Sequence, residues 1–334
     1  MPAQDELDLP APTAPESFQV SIRGFADEPQ ARAFANLIAV TVREISRFID
    51  LERLDGVTVA DDYDEALAQL DRGYQATQPL TRTADDRLLG VGMAPAVLRA
   101  GTVKGHLVFY APVIRPLRED SGSQFRQALY LVAHECGHIE DLKHRDECFP
   151  GVILRQRISD GEDAVLDQLT AGVWEEYAAC RISARFGPEQ ASIYENSFLS
   201  VLLAARDDAN AAIRSYRQHR DINQVLEEGG SRLCEPLRLA AYLLGHLDGL
   251  DEGWNAALRA RDVLAGSPYR SFVDRLTDVL RDLWSRRGHW HSTAEFTPLH
   301  DLGREVLAHG GLILHRLPDG TLYVDIPFAP EIKL

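Results

Sequence analysis

Hydrophobic positions follow a strand-like period at several places in the first third of the chain. Four segments show it as short apolar or alternating runs: 18–22, 57–60, 90–98 and 105–111. Such runs are typical of strands with one or both faces buried. Between them, 27–49 and 63–70 have the character of helices, and the first begins with Asp27-Glu28-Pro29, as a first helical turn often does. We therefore expect a small mixed sheet in this part of the chain.

The pattern changes to a helical period over 123–143. This segment contains no proline and only one glycine, Gly137. Apolar residues recur there at helical spacing and predict one buried stripe: Phe125, Leu129, Val132, Cys136 and Ile139. A long helix is therefore expected after the strand 105–111 and a short loop, 115–122.

From residue 161 onward the chain is predominantly helical in pattern. The predicted helices are 161–186, 188–218, 221–228, 233–248, 253–265, 268–286 and 297–309. Near the end, the apolar runs 312–317 and 321–326 flank Pro318-Asp319-Gly320, which indicates a β-hairpin. The predicted fold class is α+β, with a mainly helical region after the sheet and a C-terminal hairpin.

Composition and charge exclude several classes of protein. The chain has 334 residues, 45% of them hydrophobic, which argues against a disordered protein. The net charge of −16, from 35 basic and 51 acidic residues, disfavours binding to nucleic acid or to an anionic membrane. No apolar run approaches the roughly 20 residues of a membrane span. We expect no nucleic-acid or membrane partner, and the sequence leaves the oligomeric state open.

The N-terminus and the cysteines indicate a cytoplasmic protein. Residues 1–16 are rich in Pro, Ala and acidic residues, which predicts a flexible tail and not a secretory signal. The four cysteines form no C-x-x-C pair, so we expect reduced thiols. Cys136 and Cys180 lie on apolar stripes and are interpreted as small buried residues.

The predicted helix 123–143 carries the candidate chemistry. His134-Glu135-Cys136-Gly137-His138 has the H-E-x-x-H pattern. His134 and His138 are one turn apart, with Cβ atoms about 5–6 Å apart, so both imidazoles can bind one Zn²⁺. Glu135 is rotated about 100° from His134 and can act as a general base on a water at the metal. The pattern predicts a zinc site with Glu135 as its catalytic residue.

A catalytic zinc usually takes a third protein ligand, and two kinds of candidate exist. His144 follows His138 at the spacing of the metzincins, but Asp141 stands where that family has a turn-forming glycine. The metzincin methionine turn is also missing, since both methionines lie upstream of the motif. The other interpretation of His144 is a surface histidine near a helix C-terminus.

The second candidate is a glutamate of the next predicted helix. Helical phase places Glu176 at the edge of an apolar stripe, whereas Glu175 faces roughly the opposite side and is expected to be solvated. A carboxylate on a buried face needs a partner, and a zinc ion supplies one. An ion pair with a basic residue such as Arg181 is the alternative. The pattern favours Glu176 over His144.

These motifs resemble those of a known family. H-E-x-x-H followed some tens of residues later by a helical E-x-x-A, here Glu176 to Ala179, resembles the ImmA/IrrE-type metallopeptidases and related minimal gluzincins over about 84–186. Cys180 stands where an asparagine is common in that family. The resemblance implies a zincin-like domain, Zn²⁺ as cofactor and a protein or peptide substrate. It also implies that 105–111 is the strand along which an extended peptide binds. The apolar composition of 105–111 equally allows an ordinary core strand.

The predicted organisation follows from the pattern and the resemblance together. It comprises a flexible tail (1–16), a zincin-like metallopeptidase domain (17–187), a helical region (188–310) and a C-terminal hairpin and tail (311–334). The predicted function is zinc-dependent hydrolysis of a peptide bond. A zinc-containing regulatory or interaction protein with little or no peptidase activity is the alternative, and a zinc-free binding protein is a third possibility.

A few other residues have two interpretations each. Asp141 either orients a ligand imidazole or is a surface acid. Tyr177 and the pair His289 and His291 could each donate a hydrogen bond to an oxyanion, but packing is favoured for Tyr177 and an incidental position for the two histidines.

Overall fold

The computed structural model describes residues 9–76, 79–82, 90–154 and 158–327. Within them the protein is α+β, as the hydrophobic pattern predicts, with a small mixed sheet, many helices and a C-terminal hairpin. The chain separates into two compact units, Met1–Asp146 and Glu147–Leu334. Because this division falls inside one continuous helix, it does not test the predicted domain boundary at 187.

The first unit is built on a five-stranded sheet. Its strands are β1 (Gln19–Arg23), β2 (Leu54–Ala60), β3 (Gly92–Met93), β4 (Ala96–Arg99) and β5 (Thr102–Tyr110). β1, β2 and β5 are parallel neighbours, and β3 and β4 both pair antiparallel with β5. Helices α1 (Glu28–Ile45), α2 (Tyr63–Ala68) and α3 (Ala111–Ile114) connect or follow these strands. Asp27 and Asp62 cap α1 and α2, since each side chain accepts a backbone N–H of the first turn.

The prediction that 105–111 is the peptide-binding strand is wrong. β5 lies inside the sheet, with β2 on one side and β3 and β4 on the other. Its backbone donors and acceptors are therefore already used, and it cannot accept another strand. The antiparallel edge is formed by the predicted strand 90–98, which the structure breaks into β3 and β4 around Ala94-Pro95. A proline cannot donate to a ladder, which is why it belongs at an edge.

Helix α4 (Ser123–Cys148) carries the H-E-x-x-H motif and continues past its predicted end at 143. It is buried on more than the one predicted stripe, because every residue from Val132 to Gly137 is buried. α4 approaches the sheet closely at Gly105, where an added Cβ would lie 2.6 Å from Cγ1 of Ile139. A larger residue at 105 would push α4 away, so Gly105 fixes how near the motif lies to β5.

The N-terminal segment is attached to the end of α1. The tail predicted over 1–16 lies partly outside the described residues, but 9–16 is described. The Thr13 hydroxyl donates to the carbonyl of Ser46 at 2.8 Å and accepts the backbone N–H of Leu51 at 2.9 Å. Arg47 donates to the carbonyl of Pro10 at 2.8 Å. Residues 9–16 are therefore anchored and not free.

The second unit is mainly helical. Its helices are α5 (Gly161–Ser183), α6 (Ala191–His219), α7 (Ile222–Val225), α8 (Ser231–Gly249), α9 (Leu258–Ala265), α10 (Arg270–Ser285) and α11 (Thr297–His309). They agree with the seven predicted segments apart from shifted ends, several of which form short 3₁₀ or π turns. The hairpin is confirmed as β6 (Ile313–Arg316) paired antiparallel with β7 (Leu322–Asp325). The last seven residues of the predicted C-terminal tail lie outside the described residues.

Helices α5 and α8 pack at unusually short distance. A Cβ on Gly245 would lie 2.3 Å from the carbonyl oxygen of Tyr177, and one on Gly249 would lie 2.3 Å from that of Arg181. Only glycine permits the two backbones to meet in this way. From the first contact to the second, the residue number increases by four in each helix, so α5 and α8 run parallel.

None of the helices in the described ranges is long and apolar enough to cross a membrane. The cytoplasmic location stays a prediction.

Candidate metal centre

The two histidines of the motif face the same side of α4. Their ring centroids are 4.9 Å apart, with the ring planes at 89° to each other. His134 is 7% exposed and His138 is partly buried. The helical rise of 1.5 Å per residue and the spacing of four residues produce this arrangement, as the sequence predicts.

Glu176 completes a group of three possible ligands. It lies in the second half of α5, where Asp160 caps the helix by accepting the backbone N–H groups of Glu162 and Asp163. One ligand atom each from His134, His138 and Glu176 lies within 4.8 Å of the other two. This is the group of ligands that helical phase predicts.

The donor set fits a divalent cation. Two imidazole nitrogens and one carboxylate oxygen are a common set for a catalytic zinc. Metal–ligand distances of about 2.0–2.2 Å in a tetrahedral site imply ligand atoms roughly 3.3–3.6 Å apart. Separations below 4.8 Å need only small side-chain adjustments to reach that range. The group could therefore hold one metal ion and leave a coordination position open.

Glu135 lies beside this group and against the edge of the sheet. It is 6% exposed. A Cβ added to Gly92 of β3 would lie 2.8 Å from its Oε1 atom, closer than real Cβ atoms come. The absence of a side chain at 92 thus lets the carboxylate approach the backbone of the edge strand.

Tyr63 adds a hydroxyl that the sequence pattern does not single out. Its side chain packs with Val108 and Met93, and the Arg82 guanidinium lies 5.1 Å from its ring centroid. Burial, followed by the negative charge of Glu135, raises the pKa of Tyr63, so the hydroxyl keeps its proton. Among the described residues this buried hydroxyl has no hydrogen-bond partner. It is therefore a spare donor in the neighbourhood of Glu135.

His144 does not join the group of ligands within the described residues. α4 continues through Asp141 without the sharp turn that metzincin geometry needs. His144 consequently lies about 9 Å further along the axis than His138. It lies instead in the neighbourhood of Asp50. Burial raises the pKa of that carboxyl, but hydrogen bonds from Lys143 and from the Glu52 backbone, with smaller contributions from the charge of Lys143 and from His144, lower it by more.

Two other acidic residues are less exposed than the sequence predicts. Glu175 is partly buried, although it was expected to be solvated, and it is not in the ligand group. Asp141 is fully buried, so the prediction of a surface acid is wrong. Its Oδ2 atom lies 2.8 Å from Nε of Arg145, one turn on, which neutralises the carboxylate.

The candidate oxyanion donors of the second unit are engaged elsewhere or exposed. The Tyr177 hydroxyl donates to Asp248 at 2.7 Å and accepts a hydrogen bond from Arg181. His289 and His291 are both exposed, and Trp290 between them is buried, with its indole N–H donating to the carbonyl of Leu283 at 3.1 Å. These positions support packing for Tyr177 and an incidental position for the two histidines.

The four cysteines are free thiols, as expected. Cys136, Cys180 and Cys234 are buried and Cys148 is partly buried. Burial raises the pKa of Cys234 to about 12, which keeps that thiol protonated and unreactive at neutral pH.

Comparison of the chain with models of protein families, with curated proteins and with solved structures finds no match. The resemblance to the gluzincins therefore depends on the two motifs alone, and the functional argument depends on the geometry of the site.

Proposed function

We propose that this protein is a zinc-dependent peptidase of the H-E-x-x-H type. The observation that carries the proposal is the group of His134, His138 and Glu176, whose ligand atoms lie within 4.8 Å of one another. Glu135 adjoins the first ligand in sequence and is not itself part of the group. Three ligands and a neighbouring carboxylate are the combination that metal-assisted amide hydrolysis requires.

The zinc ion would be held by His134, His138 and Glu176. When bound, it would polarise the scissile carbonyl and acidify the attacking water. Glu135 takes a proton from that water and delivers it to the nitrogen of the leaving amine. Because Glu135 is almost fully buried, its charge acts in a medium of low dielectric constant, where electrostatic interactions are stronger than in water.

The edge of the sheet is the proposed site of the substrate backbone. β3 lies next to Glu135 through Gly92, and among the described residues β3 pairs with β5 on one of its two sides only. An extended peptide that pairs with the other side of β3 would run beside the Glu135 carboxylate. This assigns to β3 the role that the sequence resemblance assigned to 105–111.

The alternative is a zinc-containing regulatory protein, and its most specific support would be a metal site closed by four protein ligands. A closed site with four protein ligands would favour a structural metal. Within the described residues the group contains three, and His144 lies outside it. The presence of a carboxylate at position 135 also favours a catalytic metal site over a structural one, since a structural site does not need a base.

The proposal is tested by metal content and by hydrolysis measured on the same preparation. We expect about one zinc ion per chain and cleavage of peptides in a mixed library, detected by mass spectrometry as new termini. Removal of the metal with a chelator should abolish cleavage, and added zinc should restore it. A chain that holds no zinc and takes none up contradicts the metal site. A chain that holds zinc but cleaves nothing supports the regulatory alternative.

A substitution at Gly92 tests the contact between the edge strand and the base. Gly92→Ala places a Cβ 2.8 Å from Oε1 of Glu135 unless something moves. The carboxylate is the more mobile partner, so it should shift away from its working position. Misplacement by about 1 Å can cost on the order of 10²-fold in rate, and we expect a loss of that size. Zinc content should not change.

Gly253→Ala is the matched control for this prediction. No atom lies within 4 Å of a Cβ built at Gly253, and its φ of −122° suits any residue. This variant should cleave peptides at the wild-type rate. If Gly92→Ala cleaves equally fast, the position of Glu135 against β3 does not matter for the reaction.

A further inference from the structure

The second, mainly helical unit contains a tyrosine, Tyr242, that contacts the proposed third ligand, Glu176. α5, which carries Glu176, and α8 run parallel and touch at Gly245 and Gly249. Five residues before Tyr177, the carbon Cδ of Arg238 lies 3.1 Å from a Cβ built on Gly172. These contacts at both ends fix the register of the two helices, and Tyr242 of α8 falls opposite Glu176.

In this register Tyr242, one turn after Arg238, meets Glu176, one turn after Gly172, and its hydroxyl forms a hydrogen bond with the Glu176 carboxylate. A phenol carries an O–H donor and a carboxylate can only accept, so the Tyr242 hydroxyl is the donor and the Glu176 carboxylate is the acceptor. The aromatic ring is held by Tyr194, whose ring centroid is 5.3 Å away.

We infer that Tyr242 is a positioning residue of the metal centre, which holds the Glu176 carboxylate in the orientation that the metal needs. The inference rests on the proposed function, because it assumes that Glu176 binds the ion. It goes beyond that function by assigning a role to α8, a helix of the region that follows the two motifs.

A carboxylate has two oxygen atoms, so Glu176 can accept a hydrogen bond with one and bind a metal ion with the other. If the Tyr242 hydroxyl occupies one oxygen of Glu176, the other oxygen would be the one left to hold a metal ion. A single-atom ligand leaves room for the position that a catalytic site keeps open. The close packing at Gly245 and Gly249 holds α8 near enough to α5 for this hydrogen bond to form.

Zinc affinity provides a test that does not depend on peptidase activity. Tyr242→Phe removes one oxygen atom and leaves the packing of the ring on Tyr194 in place. Loss of such a supporting hydrogen bond typically weakens metal binding by about 10–100-fold, and we expect that range here. The measurement is competition between the full-length apoprotein and a chromogenic chelator, with added Zn²⁺ as the probe.

Tyr194→Phe is the control, since it alters the neighbouring tyrosine in the same ring contact. Its zinc affinity should equal that of the wild type. A purely structural role of Tyr242 would lower the unfolding temperature of the apoprotein and leave zinc affinity unchanged. In a Glu176→Ala background, Tyr242→Phe should have no further effect on affinity, because the group that it orients is missing.

The possible outcomes separate the two proposals. If the wild type binds zinc and Tyr242→Phe binds it equally tightly, the inference about Tyr242 is overturned and the metal centre stands. If Tyr242→Phe weakens zinc binding equally with and without Glu176, Tyr242 acts through another route and the inference is also overturned. If the wild type binds no zinc, the proposed function fails and the inference fails with it.

Discussion

Glu135→Gln is expected to bind zinc as the wild type does and to lose about 10²–10⁴-fold in the rate of peptide hydrolysis. Glutamine has the size of glutamate but its amide cannot accept a proton from water. Glu135 is not one of the three residues whose ligand atoms converge, so the metal should remain. The measurement is the rate of library cleavage together with the zinc content of the same sample.

Glu175→Gln is the matched control, because it makes the same chemical change at a glutamate outside the ligand group. It should keep the wild-type rate. Cleavage by Glu135→Gln at the rate of the wild type would mean that the motif does not supply the base, and the peptidase proposal would then be wrong.

Glu176→Ala is expected to weaken zinc binding more than any other change outside the two motif histidines. It removes one of three ligands, so the loss should exceed the roughly 10–100-fold that follows from removing a supporting partner. The two remaining imidazoles must both be neutral to bind. Zinc should therefore be released at a higher pH from this variant than from the wild type as the pH is lowered. Retention after dialysis against a mild chelator, at several pH values, measures both effects.

Glu175→Ala and His144→Ala, prepared in parallel, should retain their zinc. Glu175 lies outside the group, and His144 lies further along α4, where it affects Asp50. Loss of zinc from His144→Ala with retention by Glu176→Ala would indicate a metzincin-like site. Loss from both would indicate four ligands and would favour the regulatory alternative.

The elements that depend on local pattern could be predicted from the sequence. The α4 helix, the later helices and the C-terminal hairpin follow from hydrophobic period and from Pro and Gly positions, and these act within a few residues. The same is true of the three residues that could hold a metal ion. His134 and His138 are one turn apart in sequence, and the apolar stripe of α5 distinguishes Glu176 from Glu175.

The features that depend on distant neighbours could not be predicted in this way. The order of strands in the sheet determines that β5 is internal, although Pro95 in the preceding run was a sign that this run forms the edge. The extra burial of α4 depends on neighbours that are distant in sequence, such as Gly105 of β5 and Gly92 of β3. Tyr242 and Gly92 show no pattern of their own, and the roles proposed for them depend on how α8 meets α5 and β3 meets α4.

The interrupted edge formed by β3 and β4 has a consequence for the behaviour of the protein in concentrated solution. A long and regular open edge is a template on which other chains can add as strands and aggregate. Among the described residues, β3 has only two residues, and Ala94-Pro95 separates it from β4. Such an edge is too short to seed a continuous sheet. Under the proposed function, this edge would present backbone to a short substrate peptide while offering little to another sheet.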